Sequence, residues 1–106
     1  MTDRELLELA AKAAGELTPS WYGNDAYFDG VLSRWNPLDD DGDALQLAVK
    51  LRIDLDQYAD SVRCLRSEDF DDSEGTEAIE NLGKDPYAAT RRAIVRAAAE
   101  IGKGME

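Results

Sequence analysis

The chain has 106 residues, 23 of them acidic and 12 basic, so its formal net charge is −11, and 43% of its residues are hydrophobic. This length suits one domain with a modest core, and the aliphatic and aromatic content argues against full disorder. A charge of this sign repels nucleic-acid backbones and anionic lipid surfaces. It therefore excludes direct binding to nucleic acid or to a membrane surface and favours a basic protein partner.

The first element in chain order is a helix, predicted over residues 2–14. Thr2 followed by Glu5 fits a capping box, in which each side chain satisfies the other residue's free backbone N–H. Gly15 suits the end of the helix because glycine tolerates the left-handed conformation. The apolar stripe of this helix consists of Leu6, Leu9, Ala10, Ala13 and Ala14.

Residues 16–36 form an irregular aromatic stretch. A turn is predicted at Gly23–Asp25, and a strand within Tyr27–Trp35 that is interrupted at Asp29–Gly30. The aromatic residues of the stretch are Trp21, Tyr22, Tyr27, Phe28 and Trp35. They are interpreted first as the core of a domain with few other large apolar residues, and second as interface anchors on a loop.

A second helix is predicted over residues 40–51, after Asn36–Pro37 closes the aromatic stretch. Acidic residues suit a helix N-terminus, where free N–H groups favour negative charge. Four of them stand here: Asp39, Asp40, Asp41 and Asp43. The apolar residues that follow leave little polar surface, which predicts a substantially buried helix. They are Ala44, Leu45, Leu47, Ala48, Val49 and Leu51.

Residues 51–58 alternate, with Leu51, Ile53 and Leu55 on one side and charged residues on the other. A period of two predicts a strand with one solvated face. Further strands are expected at Val62–Leu65 and Thr76–Glu80, separated by an acidic turn over residues 70–75.

The last helix is predicted over residues 85–102, with Asp85 as its cap, Pro86 at its first position and Gly102 at its end. Tyr87, Ile94, Ala98 and Ile101 fall on one face, and Arg91, Arg92 and Arg96 on the opposite one. Residues 85–106 carry a net charge of +1 and residues 1–84 one of −12. The arginines are therefore interpreted as a solvated face or as partners of the acidic segment, with a phosphate or carboxylate clamp as the alternative.

Three helices with strands between them predict one domain, residues 1–106, of the α+β class. The expected architecture is a small antiparallel or mixed sheet with three helices, in an α-β-α sandwich-like arrangement. The spacing of the helices along the chain is compatible with helices on both faces of the sheet.

The residue inventory argues against catalysis. The chain has no histidine, which removes the commonest general base and the Ser–His and Cys–His nucleophile pairs. A single cysteine, Cys64, cannot build a usual zinc site within one chain, and no glycine-rich phosphate-binding loop is present. We therefore expect no enzymatic activity and no cofactor, and we interpret Cys64 as a buried small apolar residue.

Two acidic stretches invite comparison with the calcium-binding EF-hand loop, which needs glycine at position six and glutamate at position twelve. In a loop beginning at Asp39 these places hold Ala44 and Lys50, so the match fails. In a loop beginning at Asp69 the glycine, Gly75, comes one position late. A solvated acidic turn is favoured there, and a calcium site is the alternative.

The single cysteine also bears on the compartment, because it cannot form an internal disulfide and so favours a reducing environment. No apolar run approaches membrane-spanning length, and the N-terminal sequence lacks a signal-peptide core. These features predict a cytoplasmic protein.

Three segments carry a family resemblance. They are MTDRELLELAAKAAG at residues 1–15, WNPLDDDGDALQLAVKL at 35–51 and DPYAATRRAIVRAAAEIG at 85–102. Together, and in this order, they resemble the small phage and prophage proteins of the phage α-β-α sandwich domain family. The resemblance covers about half of the chain; residues 16–34 and 57–84 match only loosely. It implies a layered α-β-α fold and a bacteriophage origin, and it implies no activity.

The function expected from these observations is that of a bacteriophage-encoded, acidic, non-enzymatic binding protein. Its partner would be a basic, nucleic-acid-handling host protein, such as a component of a CRISPR-type defence system, in the cytoplasm of the host bacterium. The alternative is a phage structural or assembly protein that self-associates, for instance as a homodimer. The expected partner-binding residues are Trp21, Tyr22, Tyr27, Phe28, Asp69, Asp71, Asp72 and Glu74.

Overall fold

A computed structural model describes residues 2–15, 20–22, 25–27, 34–66 and 77–104. Within these ranges the chain forms three α-helices and six β-strands. The helices are α1 (Asp3–Ala13), α2 (Asp41–Leu51) and α3 (Pro86–Lys103). The strands are β1 (Ser20–Tyr22), β2 (Asp25–Tyr27), β3 (Arg34–Trp35), β4 (Ile53–Gln57), β5 (Ser61–Arg66) and β6 (Ala78–Asn81).

The ends of α1 follow from its capping residues. The backbone N–H of Thr2 donates to Glu5 Oε1 at 2.8 Å, and the backbone N–H of Glu5 donates to Thr2 Oγ1 at 3.1 Å. The Thr2 backbone N–H and, at 3.2 Å, the Thr2 hydroxyl both donate to the ionised carboxylate of Glu5 and lower its pKa. Gly15 follows the helix with a φ of +79°, so the predicted capping box and stop are both confirmed.

The ends of α2 are set by polar groups at its start and by a strained residue at its end. Asp40 is the N-cap and accepts a hydrogen bond from the Asp43 backbone N–H at 3.0 Å. Asp43 in turn accepts from the Asn36 backbone N–H at 2.8 Å, which ties the preceding segment to the helix. Arg52 ends the helix with a φ of +58°, a conformation that a residue with a Cβ adopts only at an energetic cost.

Strands β4, β5 and β6 form an antiparallel sheet in that order, with β5 in the centre. Leu55 pairs with Cys64 and Cys64 with Ala78, so these three side chains lie on the same face. Cys64 and Val62 are completely buried there. This face is therefore the side of the sheet that meets the core.

The opposite face of the same sheet is solvated. Asp56 pairs with Arg63, and Arg63 with Ile79, across this face. Arg63 Nε lies 2.6 Å from Glu77 Oε2 as an ion pair, and Ile79 is 53% exposed. The predicted strand is confirmed at β4, with Ile53 buried and Asp54 exposed, but its apolar side is only partly covered, since Leu55 is 37% exposed.

Strands β1, β2 and β3 form a second antiparallel sheet in chain order. Tyr22 pairs with Asp25, while Gly23 and Asn24 of the predicted turn lie outside the described residues. The β3 residue Trp35 is partly buried and packs against the hydrophobic core, as expected for the core interpretation of the aromatic stretch.

Helix α3 occupies the middle of the described fold, because it packs against α1 and also against β4, β5 and β6. Helix α2 packs against α3 and β4. The buried residues of all three helices and of strands β4–β6 form one hydrophobic core. The predicted α+β class, with three helices and an antiparallel sheet, is confirmed. Within this class, the described layers run from α1 through α3 to the sheet.

Two expectations about helix faces are wrong. Helix α2 is not buried all round, since Leu45 is 62% exposed and Val49 is 69% exposed. Arg91 does not lie opposite Tyr87 and Ile94, because all three line one groove. For α2 the reason is that the core covers only part of the helix circumference. Arg91 follows Tyr87 by four residues and precedes Ile94 by three, a spacing that places all three on one side of a helix.

Among the described residues, no helix combines the length and the hydrophobicity that crossing a lipid bilayer requires.

Candidate functional site

The aromatic residues expected to bind a partner fall only in part on the described chain. Trp21 and Tyr22 belong to β1, and Tyr27 belongs to β2, which places their backbones in one antiparallel pair. Phe28 lies outside the described residues, as do the acidic candidates Asp69, Asp71, Asp72 and Glu74. Their proposed role as contact residues stays a prediction.

The acidic run at the start of α2 serves the fold. Asp40 and Asp43 accept backbone hydrogen bonds, and Asp41 Oδ1 accepts from Arg91 Nη1 at 2.6 Å. Each of these three carboxylates thus satisfies a donor of this chain, as expected for an acidic helix N-terminus. In the part of the chain that the structure describes, no three His, Cys, Asp or Glu residues gather in a group able to hold a metal ion.

Two acidic residues at the end of the second calcium candidate, Glu77 and Glu80, also pair with arginines. Glu77 contacts Arg63. Glu80 Oε2 accepts from Arg96 Nη1 at 2.6 Å and lies 3.9 Å from Arg92 Nε. The remainder of that loop, from Asp69 to Thr76, is outside the described residues.

All three arginines of α3 are engaged within the chain. Arg91 binds Asp41, and Arg96 binds Glu80. Arg92 Nη1 donates to Asp3 Oδ1 at 3.1 Å. These bonds tie α3 to α2, β6 and α1 respectively. The expectation that the arginines pair with acids of the chain is confirmed.

Cys64 lies beneath α3 on the core face of the sheet and has no exposed surface. Burial raises the pKa of its thiol to about 12, and the negative charge of Asp56 adds to the increase. A thiol in this environment stays protonated at neutral pH and is a poor nucleophile. The interpretation of Cys64 as a small buried apolar residue is confirmed.

An apolar groove with a volume of about 430 Å³ lies between α2 and α3. Strand β4 contributes Leu55 and Gln57 to its lining, and the segment before α3 contributes Leu82. The helices contribute Asp41, Ala44 and Leu45 from α2, and Pro86, Tyr87, Thr90, Arg91 and Ile94 from α3. Tyr58, directly after β4, completes the lining.

One end of this groove, hereafter the α2–α3 groove, is held by Arg91. Its Nε donates to the Leu38 carbonyl at 3.0 Å while its Nη1 binds Asp41. The Arg91 side chain is largely buried by these contacts. Because a planar guanidinium with two fixed partners has little freedom, Arg91 sets the distance between the start of α2 and the middle of α3 at that end.

The surroundings of the α2–α3 groove are acidic on balance. Asp39, Asp40 and Asp41 stand at the start of α2, and Asp85 precedes Pro86. The Asp60 carbonyl accepts a hydrogen bond from the backbone N–H of Leu82, a lining residue, which places Asp60 beside the groove. The basic residues at the same places are Lys84 and Arg91.

Sequence reasoning missed this groove, because its apolar residues were assigned to buried faces. Leu45 lines the groove, and Val49, four residues later, is exposed as well, on a side of α2 away from Leu47 and Leu51. A helix that is apolar on every side, in a chain that can bury only one modest core, is a signal that one side stays exposed. Tyr87 carried a similar signal, since it lies at the first turn of α3, where the core ends.

No protein-family model matches the chain, and no curated protein and no solved structure matches it. The resemblance to the phage α-β-α sandwich domain family therefore stays a prediction from the three sequence segments.

Proposed function

We propose that this chain is a non-enzymatic binding domain whose partner is a basic protein. The observation that carries the proposal is the net charge of −11 on a folded chain of 106 residues. Its 23 acidic residues outnumber its 12 basic residues, so internal pairing cannot neutralise the chain. A surface of this kind accelerates encounters with positively charged partners and disfavours anionic ones.

The placement of the basic residues supports this proposal. The arginines of α3 bind Asp41, Asp3 and Glu80 within the fold, so they are not presented as a free basic patch. Residues 68–74 contain five acidic residues and no basic one. This stretch adds a concentrated negative charge to the chain, with Asp69, Asp71, Asp72 and Glu74 as proposed contacts.

A finer version of the proposal follows from the resemblance to phage proteins. In it the chain is encoded by a bacteriophage and inhibits a host protein that handles nucleic acid, such as a component of a CRISPR-type defence system. An acidic domain in a basic nucleic-acid channel would compete with the nucleic acid for the same lysine and arginine side chains. Competition of this kind needs no catalytic residue.

Affinity capture from bacterial lysate, with this protein as bait, tests the proposal. We expect recovery of a basic nucleic-acid-handling protein at about 0.05 M salt and its loss at about 0.5 M, because salt screens exposed charges. Recovery of no basic protein, or capture that is indifferent to salt, would contradict the proposal.

Two variants of equal net charge refine this experiment. Asp71→Asn with Asp72→Asn removes two charges from the acidic stretch, and Asp54→Asn with Glu100→Gln removes two from elsewhere on the chain. A larger loss of capture with the first pair assigns the contact to the acidic stretch. Equal losses assign it to the overall charge.

Self-association is the second candidate function, and the exposed apolar side chains of the α2–α3 groove are the observation that favours it. Sedimentation velocity over a wide concentration range tests it. A monomer at every concentration would exclude an assembly role through this surface. Repulsion between two copies that each carry −11 is the physical argument against it.

A further inference from the structure

We infer, resting on the proposed function, that the α2–α3 groove is the surface that takes the partner. We further infer that its occupant is a basic amphipathic helix of that partner. Such a helix would place apolar side chains in the groove and lysine or arginine side chains along its borders.

The apolar part of the inference rests on side chains that the fold leaves uncovered together. The described residues include six large hydrophobic side chains that are exposed, and four of them line this groove. These four are Leu45, Leu55, Tyr58 and Tyr87. Scattered single apolar side chains are ordinary on a protein surface, but a contiguous group with a concave shape is typical of an interaction site.

The two tyrosines strengthen this assignment. Tyr87 is 71% exposed at the first turn of α3, and Tyr58 is half-exposed after β4. Tyrosine is enriched among the residues that dominate binding energy, because it offers a large rigid surface and a polar tip. A partner side chain placed between the two rings would bury apolar area on both tyrosines.

The shape of the groove favours a helix as occupant over an extended strand. Eight of its twelve lining residues belong to α2 and α3, and the β4 residues Leu55 and Gln57 lie on the core face of that strand. Strand β4 is an edge strand of its sheet, but an added strand would pair with its backbone, whereas the lining of this groove consists mainly of residues from the two helices. A third helix can instead insert its side chains between those of two others.

The sign of the occupant's charge follows from the groove's borders. Asp41 lines the groove, and four further aspartates adjoin its lining residues along the chain or through a backbone hydrogen bond. The basic residues at these positions are Lys84 and Arg91. Arg91 already binds Asp41 and the Leu38 carbonyl. The five carboxylates belong to Asp39, Asp40, Asp41, Asp60 and Asp85. A helix with cationic side chains on its borders complements this surplus, and an acidic helix would be repelled by it.

Isothermal titration calorimetry with synthetic peptides tests the inference. The probe is a peptide of about 18 residues, long enough to be helical, with leucine at positions i, i+3, i+4 and i+7 and lysine elsewhere. One control peptide has the same composition in an order without an apolar face. A second control replaces every lysine by glutamate. We expect binding of the probe, and at least tenfold weaker binding of both controls.

Matched variants locate the binding surface. Leu45→Ala combined with Tyr87→Ala removes exposed apolar groups from the groove, and Ile79→Ala removes one from the solvated face of the sheet. We expect the groove variant to bind the probe at least tenfold more weakly and the Ile79 variant to bind within about twofold of the native protein. All these side chains are exposed, so neither variant is expected to unfold; circular dichroism checks this.

Three results would overturn the inference. They are no binding of the probe at low salt, equal losses in the groove and Ile79 variants, and a homodimer that the groove variant dissociates. In the last case the occupant is a second copy of the chain.

The proposed function fails separately. If lysate capture yields a basic partner that the groove variant binds equally well, the function stands and the groove is not its site. If capture yields no basic partner, the function itself is wrong.

Discussion

Gly102, near the end of α3, lies so close to α1 that a larger side chain would collide with the α1 backbone. A Cβ added at this position would stand 2.1 Å from the Leu9 carbonyl oxygen and 2.9 Å from its carbon. Real Cβ atoms do not approach backbone this closely, so the helices would have to separate. The residue that the sequence marked only as a helix end is in fact part of the α1–α3 contact.

We predict that Gly102→Ala destabilises the protein by about 1–3 kcal/mol, the usual cost of overpacking, despite the better helix propensity of alanine. Urea unfolding followed by circular dichroism measures the change. Gly104→Ala is the matched control, because a Cβ there meets its nearest atoms at 3.7 and 3.8 Å, which is ordinary contact. Equal stability of the two variants would contradict the close approach of the helices.

Cys64 gives the free energy of unfolding an alkaline dependence. Burial holds the thiol protonated in the folded state up to a pKa of about 12, while the unfolded chain releases the proton near the ordinary pKa of 9.0. The raised pKa stabilises the fold fully below pH 9. That contribution is lost as the pH rises from 9 through 12.

We predict that the free energy of unfolding falls by up to about 1.4 kcal/mol per pH unit above pH 9 on account of this thiol. Urea unfolding between about pH 8 and about pH 10 measures the slope, and Cys64→Ala is the control that removes the group while other titrating residues stay. The native slope should be steeper than that of the variant. Identical slopes, or rapid reaction of the native thiol with a thiol reagent, would show that Cys64 is accessible.

At the scale of the element, the local signals of this sequence predicted the helices well. The Thr2 and Glu5 pair, the Asp40 cap and the Asp85–Pro86 start all act where they were expected. These signals are short-range hydrogen bonds and backbone preferences, so they depend on residues within one turn. The strand after α2 begins two residues later than predicted, at Ile53, because Leu51 still belongs to the helix.

The exposed sides of α2 and α3 could not be predicted in the same way. Whether Leu45 or Leu47 faces the core depends on where α3 and β4 lie, which no local pattern specifies. Both residues are leucine, and both fit a helix that is apolar all round. Arg91 is a different case, because its spacing from Tyr87 and Ile94 alone places it beside them on α3. What no local pattern specifies is its partners, Asp41 and the Leu38 carbonyl, some fifty residues earlier in the chain.

We predict a large difference between two leucine substitutions on α2. Leu47→Ala should destabilise the protein by about 2–5 kcal/mol, since Leu47 is buried in the core and its truncation leaves a cavity. Leu45→Ala should change the free energy of unfolding by less than about 0.5 kcal/mol, since its side chain is mostly in solvent. Chemical denaturation of both variants makes the comparison. A costly Leu45→Ala would mean that the groove side of α2 is covered in the free protein.

At the scale of the whole molecule, the net charge opposes the compact state. The chain carries −11 within principal dimensions of 38, 34 and 23 Å. At about 0.01 M salt the screening length is about 30 Å, so nearly every charge acts on every other. At about 0.15 M it is about 8 Å, and mainly neighbouring charges interact. Local ion pairs such as Arg91–Asp41 therefore survive moderate salt better than the long-range repulsion does.

We predict that added sodium chloride stabilises this protein, with a higher urea midpoint at about 0.5 M salt than at about 0.01 M. Urea is the denaturant of choice because it is uncharged and leaves the ionic strength unchanged. The ion pairs of the described chain act in the opposite direction, but exposed pairs each contribute at most about 1 kcal/mol, and screening weakens them only in part. A midpoint that falls with salt would mean that these local pairs outweigh the repulsion among the surplus carboxylates. The fold would then be held together electrostatically by the arginines of α3, and their replacement by glutamine would remove the salt dependence.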